Sequence, residues 1–434
     1  MKYTIFKYAQ LAVLASLILA LPACQKNFTD PNNATQEDVF KSTRGITGVA
    51  IGLQRLYTAG RASNLYNRVT LDGFITNQFF IVNRGNVAED QLDRGGANVD
   101  GTNAILASLW TGCNKIIYDA DNVITAAGGL GDRAYASGLI AYATLFKALA
   151  IGDMAMFWEQ VPAGIGQNIG FIAPCPGLAK DIADIDAALA AISANPISSS
   201  FTSAIPGGID LPNALRAVKA RYQLYTGQYA QALATAATVS TTVKSVFTFN
   251  AVNVNPVFET ATATNNVYQP IDSTMGLPVG IQPDLADRRV PFYISLAATA
   301  PRFRINGFAR ANLTEWPIYT PGEMLLLRAE CLARQATPDI AGALALVNQV
   351  VTKKAADDIY GVGAELPALT GTPTQAALLT EIYKQRCIEL YMSGLKLEDM
   401  RRFGRPNSER RRNLMPYPFR ERDNNTNTPP DPSF

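Results

Sequence analysis

Apolar positions recur at helical spacing along much of this chain, in paired runs split by short turns. Between residues 213 and 239, Leu215, Val218, Tyr222 and Tyr225 fall 3, 4 and 3 apart, one face of a helix. Thr226, Gly227 and Gln228 interrupt the pattern, with Gly227 suited to a left-handed C-cap. Tyr229, Leu233 and Ala236 then mark a second amphipathic stretch, where small Ala232 and Ala234 allow close approach. The unit is a helix-turn-helix compatible with a tetratricopeptide-like repeat. The grammar recurs at 323–351, where a helix ends near Pro338 and Ile340, Leu344, Val347 and Val350 line its partner. It recurs at 379–403, where Leu379, Tyr383, Cys387 and Leu390 precede a break at Ser393 and Gly394, and Leu397, Met400 and Phe403 follow. A further hairpin is predicted near 134–160, its first helix ending near Gly152. A long helix is predicted over 105–127, through Trp110, Ile117 and Val123.

Three regions lack this periodicity: 64–101, 196–212 and 240–318, rich in Asn, Gly, Thr or Pro. They read as long loops and small sheets beside the helices, with runs such as 290–294 as candidate strands. Loops of that length are usually functional or disordered. The Pro- and Asn-rich tail over 416–434 reads as extended. The predicted fold class is mostly α: helix hairpins forming a scaffold, with a loop-rich face carrying short strands.

The N-terminus is different again. Lys2 and Lys7 precede an uncharged run from Leu11 to Leu21, followed by Pro22, Ala23 and Cys24. A basic segment, a short apolar run and small residues at a cleavage point read as a secretory signal. The run is too short to span a bilayer, which takes roughly 20 residues. The Leu-x-Ala-Cys ending resembles the lipobox of bacterial lipoproteins, with Pro22 where Ser, Thr or Ala is more usual. By that resemblance residues 1–23 are a lipoprotein signal peptide, and Cys24 becomes the lipid-carrying N-terminus. Residues 24–40, polar at first and Asn-rich, read as a tether, and 41–434 as a single domain.

Composition narrows the function. The chain has 38 basic and 36 acidic side chains; loss of Lys2 and Lys7 with the leader leaves 36 against 36. A neutral protein lacks the basic face that nucleic-acid binding needs. There is no histidine, which excludes Ser-His-Asp and Cys-His nucleophiles and every His-based metal motif. No cofactor and no metal site is read from the sequence. Cys113, Cys331 and Cys387 fall within helical patterns and read as small buried hydrophobes, although spacing alone leaves disulfide pairing open.

Ile382, Arg386, Glu389, Leu390, Gly394, Asp399, Met400, Arg401 and Arg402 form a block that resembles the SusD/RagB family of outer-membrane nutrient-binding lipoproteins. Gln385, Ser393 and Lys396 depart from its usual residues. Glu323 to Glu330 resembles a second block, Leu109 to Ile124 a third, and the Pro-rich tail is similar to family C-termini. The resemblance implies a tetratricopeptide-like scaffold and a lipid anchor in the outer membrane, at the cell surface. It implies a glycan or other nutrient as ligand, a SusC-like TonB-dependent transporter as partner, and no reaction. A purely protein-binding adaptor and a helical-barrel glycosidase are the alternatives.

Arg386 and Glu389, three apart on a helix, read as a structural pair rather than catalytic groups. Trp110 reads as core. The arginines 401, 402, 405, 410, 411, 412, 420 and 422 read as a solvated face with acids elsewhere, or as a docking patch. Sugars are held by aromatic faces and by polar groups on their hydroxyls. Phe79, Phe80, Asn83, Arg84 and Asn86 bring both kinds into one segment. They are the candidate ligand contacts, with Tyr268 and Trp316 as secondary candidates.

Overall fold

The computed structural model describes residues 36–434. The predicted signal peptide, Cys24 and most of the predicted tether lie outside the described residues; Gln36–Phe40 is a short helix. The scaffold is a run of antiparallel helices. Ala104–Gly128 packs on Arg133–Phe157, which packs on Pro174–Ala194. Leu211–Tyr225 packs on Pro174–Ala194 and pairs with Tyr229–Ala237. The latter meets Pro321–Arg334, which pairs with Ile340–Val351 and touches Gln375–Glu389.

Local chemistry sets these boundaries. Asn103, Asp132, Asp210, Thr320, Asp339 and Thr374 sit at N-caps and accept backbone N–H bonds from the first turn. Pro174 and Pro321 occupy first-turn positions where no N–H is needed. Gly227 lies at φ +75° in the turn between Leu211–Tyr225 and Tyr229–Ala237, a conformation that costs a side chain roughly 1–2 kcal/mol. Ala217, Ala220, Ala232 and Ala236 fill the seam of that pair with Leu224, Leu327 and Met324.

Four sequence readings need correction. Residues 134–160 are not a hairpin: Arg133–Phe157 is one helix running through Gly152. A Cβ at Gly152 would stand 2.0 Å from Tyr222 Oη, so the glycine marks a close helix contact. This helix is long and apolar enough to cross a membrane, yet its apolar window is 78% buried as a core element. Second, Asn64–Ile75 is a helix, not a loop, and every residue of it is buried. A helix enclosed on all sides needs no apolar stripe; its polar groups are bonded inside, as with Asp72 accepting from the Leu397 and Lys396 amides. Third, residues 290–294 are mostly the short helix Arg289–Tyr293, followed by the strand Ile294–Leu296. Fourth, the tail contains the helix Phe419–Asn424.

That tail crosses the N-terminal helices. Trp158 Nε1 donates to the Pro416 carbonyl at 3.0 Å, and Trp110 Nε1 to Glu421 at 2.9 Å. The Arg411 amide donates to Ile75 O, and Asn77 Nδ2 to Glu409 O, both at 2.8 Å. The C-terminal arginines are mostly spent inside the molecule. Arg402 pairs with Glu330, Glu398 and Asp399, Arg405 with Glu409, and Arg411 with Asp93.

The irregular segments form a second face with small two-stranded antiparallel sheets. These include Phe79–Ile81 with Tyr268–Pro270, Val246–Phe247 with Trp316–Pro317, and Ile294–Leu296 with Phe303–Ile305.

Candidate functional site

The sequence candidates separate once placed. Phe79 and Tyr268 are fully buried, ring on ring at 4.7 Å, with Tyr268 Oη bonded to Thr70 at 3.0 Å. Trp316 is 4% exposed. These three rings are core and present no face for a sugar. Arg84 pairs with Asp90 and Asp93. Asn83 and Asn86 shape their own turn, Asn83 Oδ1 accepting from the Gly85 amide and Asn86 Nδ2 donating to the Asn83 carbonyl. Phe80 stays half-exposed. None of these residues lines the open hollow of the loop-rich face.

That hollow is an open cleft of about 460 Å³. Its aromatic wall is Phe292, Phe308 and Tyr360, all half-buried. Phe292 and Phe308 meet at 5.4 Å and 73°, Phe308 and Tyr360 at 5.9 Å and 89°. Such edge-to-face packing fixes the rings. Trp316 lies beneath, 6.4 Å from Phe308. At the rim stand Lys244, Arg310 and Glu315, all exposed. Lys244 Nζ is 3.5 Å from Glu315 and 5.7 Å from the Tyr360 ring centroid. Tyr360 Oη accepts from the Ser245 amide at 3.1 Å. Burial pushes this phenol up to about 12, so it stays neutral at physiological pH.

The scaffold holds both walls of the cleft through one carboxylate. Glu389, wholly buried, accepts from Arg289 at 3.1 Å and from Lys353 at 2.6 Å. Arg289 begins the helix that carries Phe292, and is also held by Asp287 at 2.7 Å and Gln385 at 2.5 Å. Lys353 bonds Asp358 at 2.7 Å, and Asp358 in turn accepts the Tyr360 amide at 2.9 Å. Gly322 makes room: a Cβ there would lie 1.9 Å from Glu389 Oε1. The helical spacing of Arg386 and Glu389 therefore misleads. Arg386 forks onto Asp399 at 2.9 Å twice, and Glu389 turns to the loop face.

Another hollow, about 400 Å³, lies among Arg334, Tyr383, Arg402, Phe403 and Arg405. Its guanidiniums already pair with Glu330, Glu398, Asp399 and Glu409, whereas the Arg310 guanidinium on the loop-face cleft has no partner among the described residues. Sequence reasoning missed Phe292, Phe308 and Tyr360, which stand up to 68 positions apart (292 to 360) and meet only in the fold.

The fold is similar to that of solved SusD superfamily proteins. A superfamily protein from Bacteroides thetaiotaomicron aligns at TM-score 0.69 and 15% identity, over 90% of this chain and 100% of that one. A SusD-like carbohydrate-binding protein from Bacteroides fragilis aligns at TM-score 0.66 and 14% identity, over 84% and 87%. A laminarin-binding SusD-like protein aligns at TM-score 0.62 and 14% identity, over 93% and 100%. At such identities the likeness is one of fold. The family model for the SusD family matches residues 308–432, under a third of the chain, including the segments 323–330 and 382–402. No curated protein matches the sequence.

Proposed function

We propose that this chain is a cell-surface lipoprotein that binds a glycan in the Phe292–Phe308–Tyr360 cleft and passes it to a SusC-like TonB-dependent transporter. The observation that carries the reading is the cleft itself. It has an open volume near 460 Å³, three rings held by edge contacts, and polar groups at the rim. Sugar rings present apolar faces to aromatics and hydroxyls to polar side chains, and a cleft of this size falls in the ordinary range for ligand sites. Two proteins of the same fold are described as carbohydrate-binding and laminarin-binding, which supports a saccharide. The lipobox at Cys24 supports a lipid anchor in the outer membrane. The resemblance of the 323–330 and 382–402 blocks to SusD/RagB proteins supports the transporter partner.

Hydrolysis is disfavoured on geometry. A glycosidase needs two carboxyl groups facing across the bond, roughly 5–9.5 Å apart. Among the residues lining this cleft, Glu315 is the one carboxylate, and it faces Lys244.

The test is calorimetric titration of the mature protein with a panel of soluble oligosaccharides, repeated with Phe308→Ala. Loss of one stacking ring should weaken binding about tenfold, with melting followed in parallel because Phe308 also rests on Trp316. Glycan binding that persists unchanged in a folded Phe308→Ala protein places the site elsewhere.

A further inference from the structure

We infer that the saccharide taken by this cleft carries a carboxylate, a uronic-acid unit engaged by Arg310 with Lys244 in support. The inference rests on the cleft reading above and goes beyond it to the class of ligand.

Arg310 follows the short turn Gly307–Ala309, beside the Phe308 ring. Its side chain is exposed, and its guanidinium has no hydrogen-bond or ion-pair partner among the described residues. Other exposed arginines, such as Arg44, Arg288 and Arg302, are likewise unpaired among the described residues; Arg310 is the arginine that lines the cleft, whereas several inside the scaffold are spent. Arg221, Arg289, Arg386, Arg402, Arg405 and Arg411 are each paired to a carboxylate. An unspent guanidinium at the rim of an aromatic cleft offers a planar fork of donors that matches a carboxylate.

Lys244 adds a second cation on the same rim. Its contact with Glu315 is long, 3.5 Å, between side chains that are 50% and 45% exposed. Such a pair is weak and readily exchanged for a ligand's charge. Two cations stand against one carboxylate in the lining, whereas the chain without its leader is balanced at 36 against 36. The local excess is therefore a property of the cleft, not of the protein. A neutral hexose in the same place leaves Arg310 unpaired.

The experiment is titration of the mature protein with oligomers of galacturonate, of mannuronate and guluronate, and of glucuronate-bearing xylan. Each is compared with its carboxyl-reduced counterpart, at 50 and 500 mM salt. The expected result is at least one uronate oligomer bound about tenfold or more tightly than its reduced form, with the preference shrinking at high salt. Arg310→Gln should abolish that preference, weakening the acidic form more than the reduced form; Lys244→Gln should reduce it. Both residues are exposed, so melting should not move. Equal binding of acidic and reduced forms, or a preference that survives Arg310→Gln, overturns the inference. If neutral oligosaccharides bind as tightly as every uronate oligomer and Phe308→Ala weakens both, the acidic inference falls while the glycan-binding function stands. If no saccharide of either kind binds, both fall.

Discussion

Glu389→Gln is the most informative single change, because the side chain keeps its size while one carboxylate between the two cleft walls is lost. Glu389 accepts from Arg289 at 3.1 Å and Lys353 at 2.6 Å, with no exposure to water. Hydrogen bonds to charged groups contribute about 1.5–3 kcal/mol each. The glutamine keeps one acceptor and turns an NH2 toward the other cation, so one such bond becomes a donor–donor clash. Charge balance is not what is lost. The cluster holds Arg289 and Lys353 against Asp287, Asp358 and Glu389, two cations against three anions, and the variant leaves two against two. Because both cations keep a carboxylate, the full 3–5 kcal/mol of an orphaned buried charge does not apply. The expected cost is about 2–4 kcal/mol. Unfolding entropy of roughly 2.1 cal/mol/K per residue over about 400 residues makes 1 kcal/mol worth about 1.2 °C, so the melting temperature should fall about 2–5 °C. Urea titration by circular dichroism measures the loss, and it should appear as a lower midpoint at unchanged slope. Saccharide affinity should fall as well, since Phe292 and Tyr360 both hang from this carboxylate. A cost below about 1 kcal/mol would refute the reasoning. A cost without any change in affinity would show that the walls are held independently of Glu389.

Gly322→Ala drives a Cβ to 1.9 Å from Glu389 Oε1; scanning calorimetry should show destabilisation of about 1–3 kcal/mol, and an unchanged melting temperature would mean the carboxylate moves freely. Burial pushes the Asp153 carboxyl up to about 6, above the roughly 3.9 of an unfolded chain. The folded state therefore keeps a proton that the unfolded state releases, and this contribution to stability is greatest below pH 4 and fades as pH rises through 6. The cost of Asp153→Asn should accordingly shrink between pH 4 and 7, and a cost that grows with pH would mean that the Arg68 charge dominates the site. Cys24→Ser should abolish lipid labelling and release the protein from membranes; retention without label would remove the anchor from the proposal.

The pair Leu211–Tyr225 and Tyr229–Ala237 was legible because each helix buries one face, so period and partner agree in the sequence. Asn64–Ile75 was not, since a helix enclosed on every side has no stripe to read. Phe79 and Tyr268 were mistaken for a sugar platform because aromatic rings among Asn and Gly look alike whether they face a ligand or a core. What decided their place was a three-residue strand pairing across 187 positions (81 to 268). The cleft left no local signal, because Phe292, Phe308, Tyr360 and Lys244 come from four separate segments. Arg386 and Glu389 share a helix yet take partners on other elements, since burial lets distant charges outcompete near ones.

The crossing of residues 409–421 over the first helices sets an order in time. Asn77 waits for Glu409, Ile75 for Arg411, Trp158 for Pro416 and Trp110 for Glu421, contacts spanning 258 to 336 positions (158 to 416, 75 to 411). The helices made first can form early, but their indoles stay unsatisfied until residues made last arrive. Closure of so long a loop is slow. A chain stopped short of residue 409 thus has an open seam in its oldest part rather than a missing tail, with Trp110 and Trp158 as the aggregation-prone surface.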